Sequence, residues 1–318
     1  MIRFSRIRTK KPVATDDSRI YTNLDTLSRM EYRAKGFSFN TRQPARSILT
    51  GRHASRLRGR GLNFEELRHY RPGDDIRTLD WKVTNRTGKP HVRIYTEERE
   101  RNVFILVDQR ISMFFGTQSA MKSVIAAEIA ALIAWRITSL NDRIGGVVFN
   151  DSDIYTHAPQ RSRRHILEML HKIVEFNQKL IAGVQSEAAM LDKALQRISN
   201  ITKQDSLVIL ISDGTGWQKT TSDLVRKLSQ HNDLIAVNIV DPGEKNLPSM
   251  EQLIVSDGDL QIATRTSTHT IQHAFKKTYA DRLGEMARDL RKHTIPLLII
   301  DTLSPASKQL ISAMGGRT

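Results

Sequence analysis

The chain reads as an α/β protein built on a doubly wound, mainly parallel sheet, with a smaller basic N-terminal α+β segment packed on it. Three observations predict this. Near-continuous apolar runs rich in Val and Ile recur through the later two thirds, helical stretches separate them, and the runs end in aspartates. Strands buried on both faces lack strict apolar–polar alternation, and strands alternating with helices require right-handed crossovers. The expected division is a flexible basic tail at 1–20, a basic segment at 21–101 and the sheet domain at 102–318.

The elements follow in order. Residues 1–20 mix Ser, Thr, Lys and Arg without apolar periodicity, and a short helix is expected after Asn23. Alternation over His91-Val92-Arg93-Ile94-Tyr95-Thr96 predicts a half-buried strand, continuing the sheet beside the next run. The buried strands are expected at Val103–Val107, Ile144–Phe149, Leu207–Ile211, Leu234–Val240 and Pro296–Ile300. Gln118–Leu140 is apolar nearly all round, as a well-covered helix is. Arg163–Asn177 spaces Ile166, Leu167, Leu170, Ile173 and Val174 as one helix face, and Leu191–Ile198, Ser222–Gln230 and Ile271–Lys292 are further helices.

Composition sets the classes that remain. With 318 residues and 39% hydrophobic residues, a sizeable core can be buried. The longest apolar run, Ile129–Trp135, falls short of the ~18 residues a membrane span needs. No membrane span and a cytoplasmic location are therefore expected. The absence of cysteine excludes disulfides, thiolate zinc sites and a cysteine nucleophile. Residues 1–102 carry 24 Lys+Arg against 12 Asp+Glu, a net of +12 within the +15 of the chain. That asymmetry points to an acidic partner for the first third: nucleic acid, a membrane surface or another protein.

Aspartates close or follow the strands at Asp108, Asp151, Asp213, Asp241 and Asp301. In an open parallel sheet the carboxyl ends share one edge, where ligands sit. Asp108 and Asp213 with nearby hydroxyls suit a hard cation such as magnesium or manganese. The competing reading is helix capping. Ser112 and Gly214-Thr215-Gly216 follow the two aspartates and leave space at the edge.

Residues 51–115, above all RHYRPGDDIRTLDW at Arg68–Trp81, then Glu98–Glu100 and VFILVDQRISM, resemble the bacterial domain of unknown function family number 58. The likeness runs on through LISDG and KTYADRLGEMARDLRKHTIPLLIIDT. It implies a von Willebrand factor A-like fold, a non-catalytic role in binding, and work alongside a MoxR-type AAA+ ATPase and its client. In such domains a metal-ion-dependent adhesion site uses D-x-S-x-S after the first strand, a loop threonine and a later aspartate. Here the motif reads Asp108-Gln109-Arg110-Ile111-Ser112, Asp213 matches the later aspartate, and Ala189 falls where the threonine belongs. Arg110 and Ala189 therefore replace ligands, which argues against a metal cofactor. Any cation would fall to Asp108, Ser112 and Asp213.

A guanidinium cannot coordinate a cation and stays protonated. At ~4 Å and an effective dielectric of ~20, each unit-charge pair is worth roughly 4 kcal/mol before desolvation. Arg110 is thus expected to stand in for the metal, leaving Asp108, Arg110, Ser112, Asp213, Gly214 and Thr215 to grip a partner carboxylate. Alternatively Arg110 points to solvent and the site is defunct.

In the basic third, Arg52, Arg56, Arg58 and Arg60 with Phe37, Phe39, Phe64, Tyr70 and Trp81 suit single-stranded nucleic acid. The competing role for Arg71, Pro72, Gly73, Asp74, Asp75, Arg77, Asp80 and Trp81 is structural, with Asp74 or Asp75 capping the Pro72-Gly73 turn or binding Arg71 and Arg77. His269 and His273 share a helix face but lack the glutamate of a hydrolytic zinc motif. Phosphate-loop, dinucleotide and serine-elbow motifs are absent from the sequence. The leading expectation is a non-catalytic adaptor. The alternatives are a metal-dependent phosphoesterase, or nucleic-acid binding through the first third.

Overall fold

The computed structural model describes residues 17–34, 62–72, 74–97, 102–181, 185–245, 253–256, 261–264 and 269–315. Phe37, Phe39, Gly73, Arg52, Arg56, Arg58, Arg60 and Glu98–Glu100 lie outside them, as do the side chains of Phe64, His269 and His273. The chain forms two compact units, 43–100 and the remainder.

Helix α1 (Leu24–Arg33) starts where expected, with the Asn23 side chain accepting from Thr26 N. It belongs to the larger unit, not to the basic segment, because Leu27 and Met30 are buried in the same core as the sheet. Trp135 Nε1 donates to Leu27 O at 3.0 Å. Residues before α1 also make contacts within this unit. Met121 N donates to Arg19 O, Tyr21 Oη to Leu180 O, and the Tyr21 ring stacks on Phe114 at 5.5 Å.

The smaller unit pairs β1 (Leu62–His69) antiparallel with β2 (His91–Glu97). β2 was expected to continue the main sheet. It forms its own two-stranded sheet with β1 instead, a partner whose LNFEELRH gives little period-2 signal. Between them lie a 3-10 turn (Ile76–Thr78) and the short helix α2 (Trp81–Thr87), capped by Asp80 and ended by Gly88 at φ +69°.

The larger unit carries β3 (Asn102–Asp108), α3 (Lys122–Ser139), β4 (Arg143–Phe149), β5 (Ile154–Gln160), α4 (Arg163–Gln178), α5 (Ala189–Ile201) and β6 (Leu207–Ser212). It continues with α6 (Lys219–Ser229), β7 (Asp233–Val240), α7 (Pro242–Lys245), the hairpin β8 (Leu253–Ser256) with β9 (Gln261–Thr264), α8 (His269–Lys292), β10 (Leu297–Asp301) and α9 (Ala306–Ala313). The six-stranded sheet has the order β10-β7-β6-β3-β4-β5, parallel except for the β4–β5 pair.

Side chains alternate across each strand. Val103, Ile105 and Val107 pack with α1, α3, α4 and α9, whereas Phe104 and Leu106 pack with α5, α6 and α8. Covering on both faces is why these strands read as unbroken apolar runs. The sheet is doubly wound, as the alternation of runs and helices implied. From β3 the chain winds one way through β4 and the other through β6, so the strand order reverses between β3 and β6. That reversal opens a crevice at the carboxyl edge, flanked by the ends of the strands leading to Asp108 and Asp213.

Candidate functional site at the carboxyl edge of the sheet

β3 delivers Asp108 to the crevice fully buried, and the next turn brings Arg110 back onto it. Arg110 N and Nε donate to Asp108 Oδ1 at 3.0 Å, and Nη2 to Oδ2 at 2.7 Å. Ser212 Oγ donates to the same Oδ2 at 2.7 Å, and Arg110 Nη2 also reaches Thr215 O at 2.9 Å. Both charged side chains are 0% exposed. Burial works against the guanidinium charge, but Asp108 outweighs it and holds the Arg110 pKa above its ordinary value. Phe149 lies beneath the guanidinium, 5.4 Å from ring centroid to Cζ.

Arg110 therefore neither points to solvent nor offers its fork to a partner. The fork closes on Asp108, so the clasp for an outside carboxylate is not present in this geometry. Nη1 is buried without a hydrogen-bond partner.

A second cation, unforeseen from the sequence, serves Asp213. Lys122, the first residue of α3, is 1% exposed; its Nζ donates to Asp213 Oδ2 at 2.8 Å and to Glu244 Oε1 at 2.6 Å. Burial would lower the lysine pKa, yet the two carboxylates outweigh it and raise it. Burial likewise works against the Asp213 carboxylate, and Lys122 foremost, then Arg110 and the Thr215 N–H, hold its pKa well below the usual range. One signal was legible. A cation in the first turn of a helix opposes the macrodipole, so Lys122 at the head of an apolar helix needs an anion beside it.

The remaining expected residues lie around these pairs. Ser112 Oγ contacts Asp213 Oδ1 at 3.4 Å, and Thr215 N donates to that oxygen at 2.9 Å. Gly214 and Gly216 have φ of +70° and +82°, which let the loop after β6 turn sharply; a Cβ on Gly216 would sit 3.2 Å from Ala188 O. Ala189 is thus beside the site and brings no hydroxyl. Asp151 accepts from Ile111 N at 2.6 Å and Glu187 N at 2.9 Å, and burial raises its pKa.

Asp241 holds the start of α7, and Asp301 holds the loop before α9. Asp241 accepts from Thr117 N and Oγ1, Gly243 N and Thr302 Oγ1. Asp301 accepts from Leu303 N and Ser304 N. Among the described residues, no three His, Asp or Glu side chains converge as a metal requires. The adhesion-site cation does not fit the residues present. Arg110 and Lys122 stand on its aspartates, and Ala189 brings no ligand.

In the smaller unit, Asp74 accepts from Arg71 N at 2.7 Å and pairs with Arg68 at 2.9 Å, and Asp75 accepts from Arg77 N at 3.0 Å. Asp80 accepts from Lys82 N and Val83 N. The motif aspartates hold the loop, whereas Trp81 is exposed.

A family model described as "Protein of unknown function DUF58" matches residues 66–288. Uncharacterized proteins of Mycobacterium tuberculosis (strain H37Rv) and Mycobacterium bovis are each 29% identical over 266 residues, covering 82% of this chain and 81% of theirs. Among solved structures, the conserved hypothetical protein BatB from Bacteroides thetaiotaomicron is similar with a TM-score of 0.40 and 16% identity, over 68% of this chain and 97% of that one. The SpRpn10 VWA domain is similar with a TM-score of 0.37 and 10% identity, over 67% of this chain and 95% of that one. Among the described residues no helix is long and apolar enough to cross a membrane.

Proposed function

The chain belongs to the DUF58 family, and from that premise we propose that it is a non-catalytic protein-binding module with a degenerate, cation-free adhesion site. One observation carries this: each aspartate at the switch point already has a buried internal cation, Arg110 on Asp108 and Lys122 on Asp213. A divalent ion entering between them would face two fixed positive charges and would have to break both pairs. Metal-assisted hydrolysis of phosphate esters loses support for the same reason. The carboxylates left at the rim are Asp151 and Glu187, with exposed Phe115 beside Lys122. Such a rim receives a basic partner segment, the reverse of the carboxylate expected from sequence.

The partner we propose is a MoxR-type AAA+ ATPase or its client. Its support is the resemblance carried by Arg68–Trp81 and the absence of a phosphate-binding loop in this chain, which leaves the work of nucleotide hydrolysis to another protein. The test is association of the full chain with the purified ATPase, with and without a metal chelator. Association unchanged by chelator and weakened about tenfold by Glu187→Lys supports the proposal. Failure to associate, or association abolished by chelator, overturns it.

A further inference from the structure

We propose that the smaller unit carries a second interaction surface, formed by the outward side of α2 and the loop before it, which docks an acidic protein segment bearing an apolar anchor. Trp81 and Ile76 are each 62% exposed. Tryptophan is highly buried on average, so an exposed one in a structured turn is informative. Around it Arg71, Arg77, Lys82, Arg86 and Lys89 are exposed and form no ion pair among the described residues.

The local chemistry produces this imbalance. Asp74 and Asp80 are occupied with backbone N–H groups and Arg68, and Asp75 with Arg77 N. The motif's carboxylates therefore shape the loop, and its cations and apolar side chains are left outside. Helical spacing then orders the surface. Val83 and Thr84 are half-buried, and Thr84 Oγ1 accepts from His91 N at 3.1 Å. Lys82 and Arg86 fall on one face of α2 at i and i+4, and Lys89 follows the helix just after Gly88.

Exposed cations interspersed with exposed apolar side chains complement acidic side chains flanking an apolar one. Nucleic acid is the weaker fit. Ile76 offers no face on which a base stacks, and a sequence-tolerant strand groove uses successive aromatic platforms.

The surface lies within the smaller unit and is independent of the sheet-edge reading. The test is fluorescence anisotropy of two labelled probes on the full chain: a peptide alternating glutamate with leucine, and a single-stranded oligonucleotide of equal charge. The variants are Trp81→Ala and the pair Lys82→Glu with Arg86→Glu, each checked for an unchanged melting temperature. Peptide binding that falls about tenfold in both variants supports the proposal. Absence of peptide binding, binding equal in either variant, or tighter binding of the oligonucleotide overturns it.

Discussion

Arg110 and Asp108 form a fully buried ion pair in which each side chain is the other's charge and hydrogen-bond partner. Removing one member strands a buried charge, which costs about 3–5 kcal/mol. Arg110→Ala is therefore expected to lower unfolding stability by about that amount in urea titration, whereas Arg110→Met combined with Asp108→Leu is expected to recover most of it. The Lys122–Asp213 pair sets a pH window. The Asp213 pKa is depressed below its ordinary 3.8, so its contribution is present above that value and lost as pH falls beneath it. The Lys122 pKa is raised above 10.5, so its contribution is present below that value and lost only at more alkaline pH. Arg110 was legible because it breaks a short local pattern, Asp108 to Ser112. For Lys122 only the need for an anion was legible; its partners were not, because they lie 91 and 122 residues away, at a separation no spacing rule covers.

Between β5 and α4, two histidine rings stack at 3.7 Å, His157 on His165. His157 Nε2 lies 3.0 Å from His165 O, Tyr155 Oη lies 3.1 Å from its Nδ1, and Glu168 sits 4.0 Å from His165 Nδ1. Burial pushes the His157 pKa below 6.5, against the opposing hydrogen bond to the His165 carbonyl. A histidine held neutral in the fold contributes stability that is complete above its ordinary pKa and declines as pH falls through the folded value. The melting temperature is expected to drop on acidification below about pH 6.5, and more shallowly in His157→Gln. An unchanged slope in that variant would assign the acid sensitivity elsewhere. The strand itself was missed in the sequence because IYTHAPQ alternates weakly and contains Pro159, a residue tolerated at a sheet edge. The four central strands β3, β4, β6 and β7 were legible because burial on both faces leaves an apolar run that a sequence displays directly, whereas β10, expected as a buried strand, lies at the sheet edge with Ile299 exposed.

Across the whole larger unit, the winding of the sheet and the charge at its edge are one design. Reversal of strand order between β3 and β6 sets Asp108 and Asp213 on either side of the crevice, and the turns that follow supply their counter-charges from within. A buried amide relay braces this region. Thr22 N donates to Asn177, Asn177 to Gln109, and Gln109 to Ser123 O, so the segment before α1 is tied to the residue preceding Arg110. The strand order was legible only as a class, since alternation of strands and helices fixes parallel crossovers and not the side on which each lands. The decisive measurement is titration calorimetry of the full chain with manganese, beside Asp108→Ala. No stoichiometric heat in the unaltered protein is expected if Arg110 and Lys122 hold the cation positions; a stoichiometric signal that disappears in Asp108→Ala would contradict it.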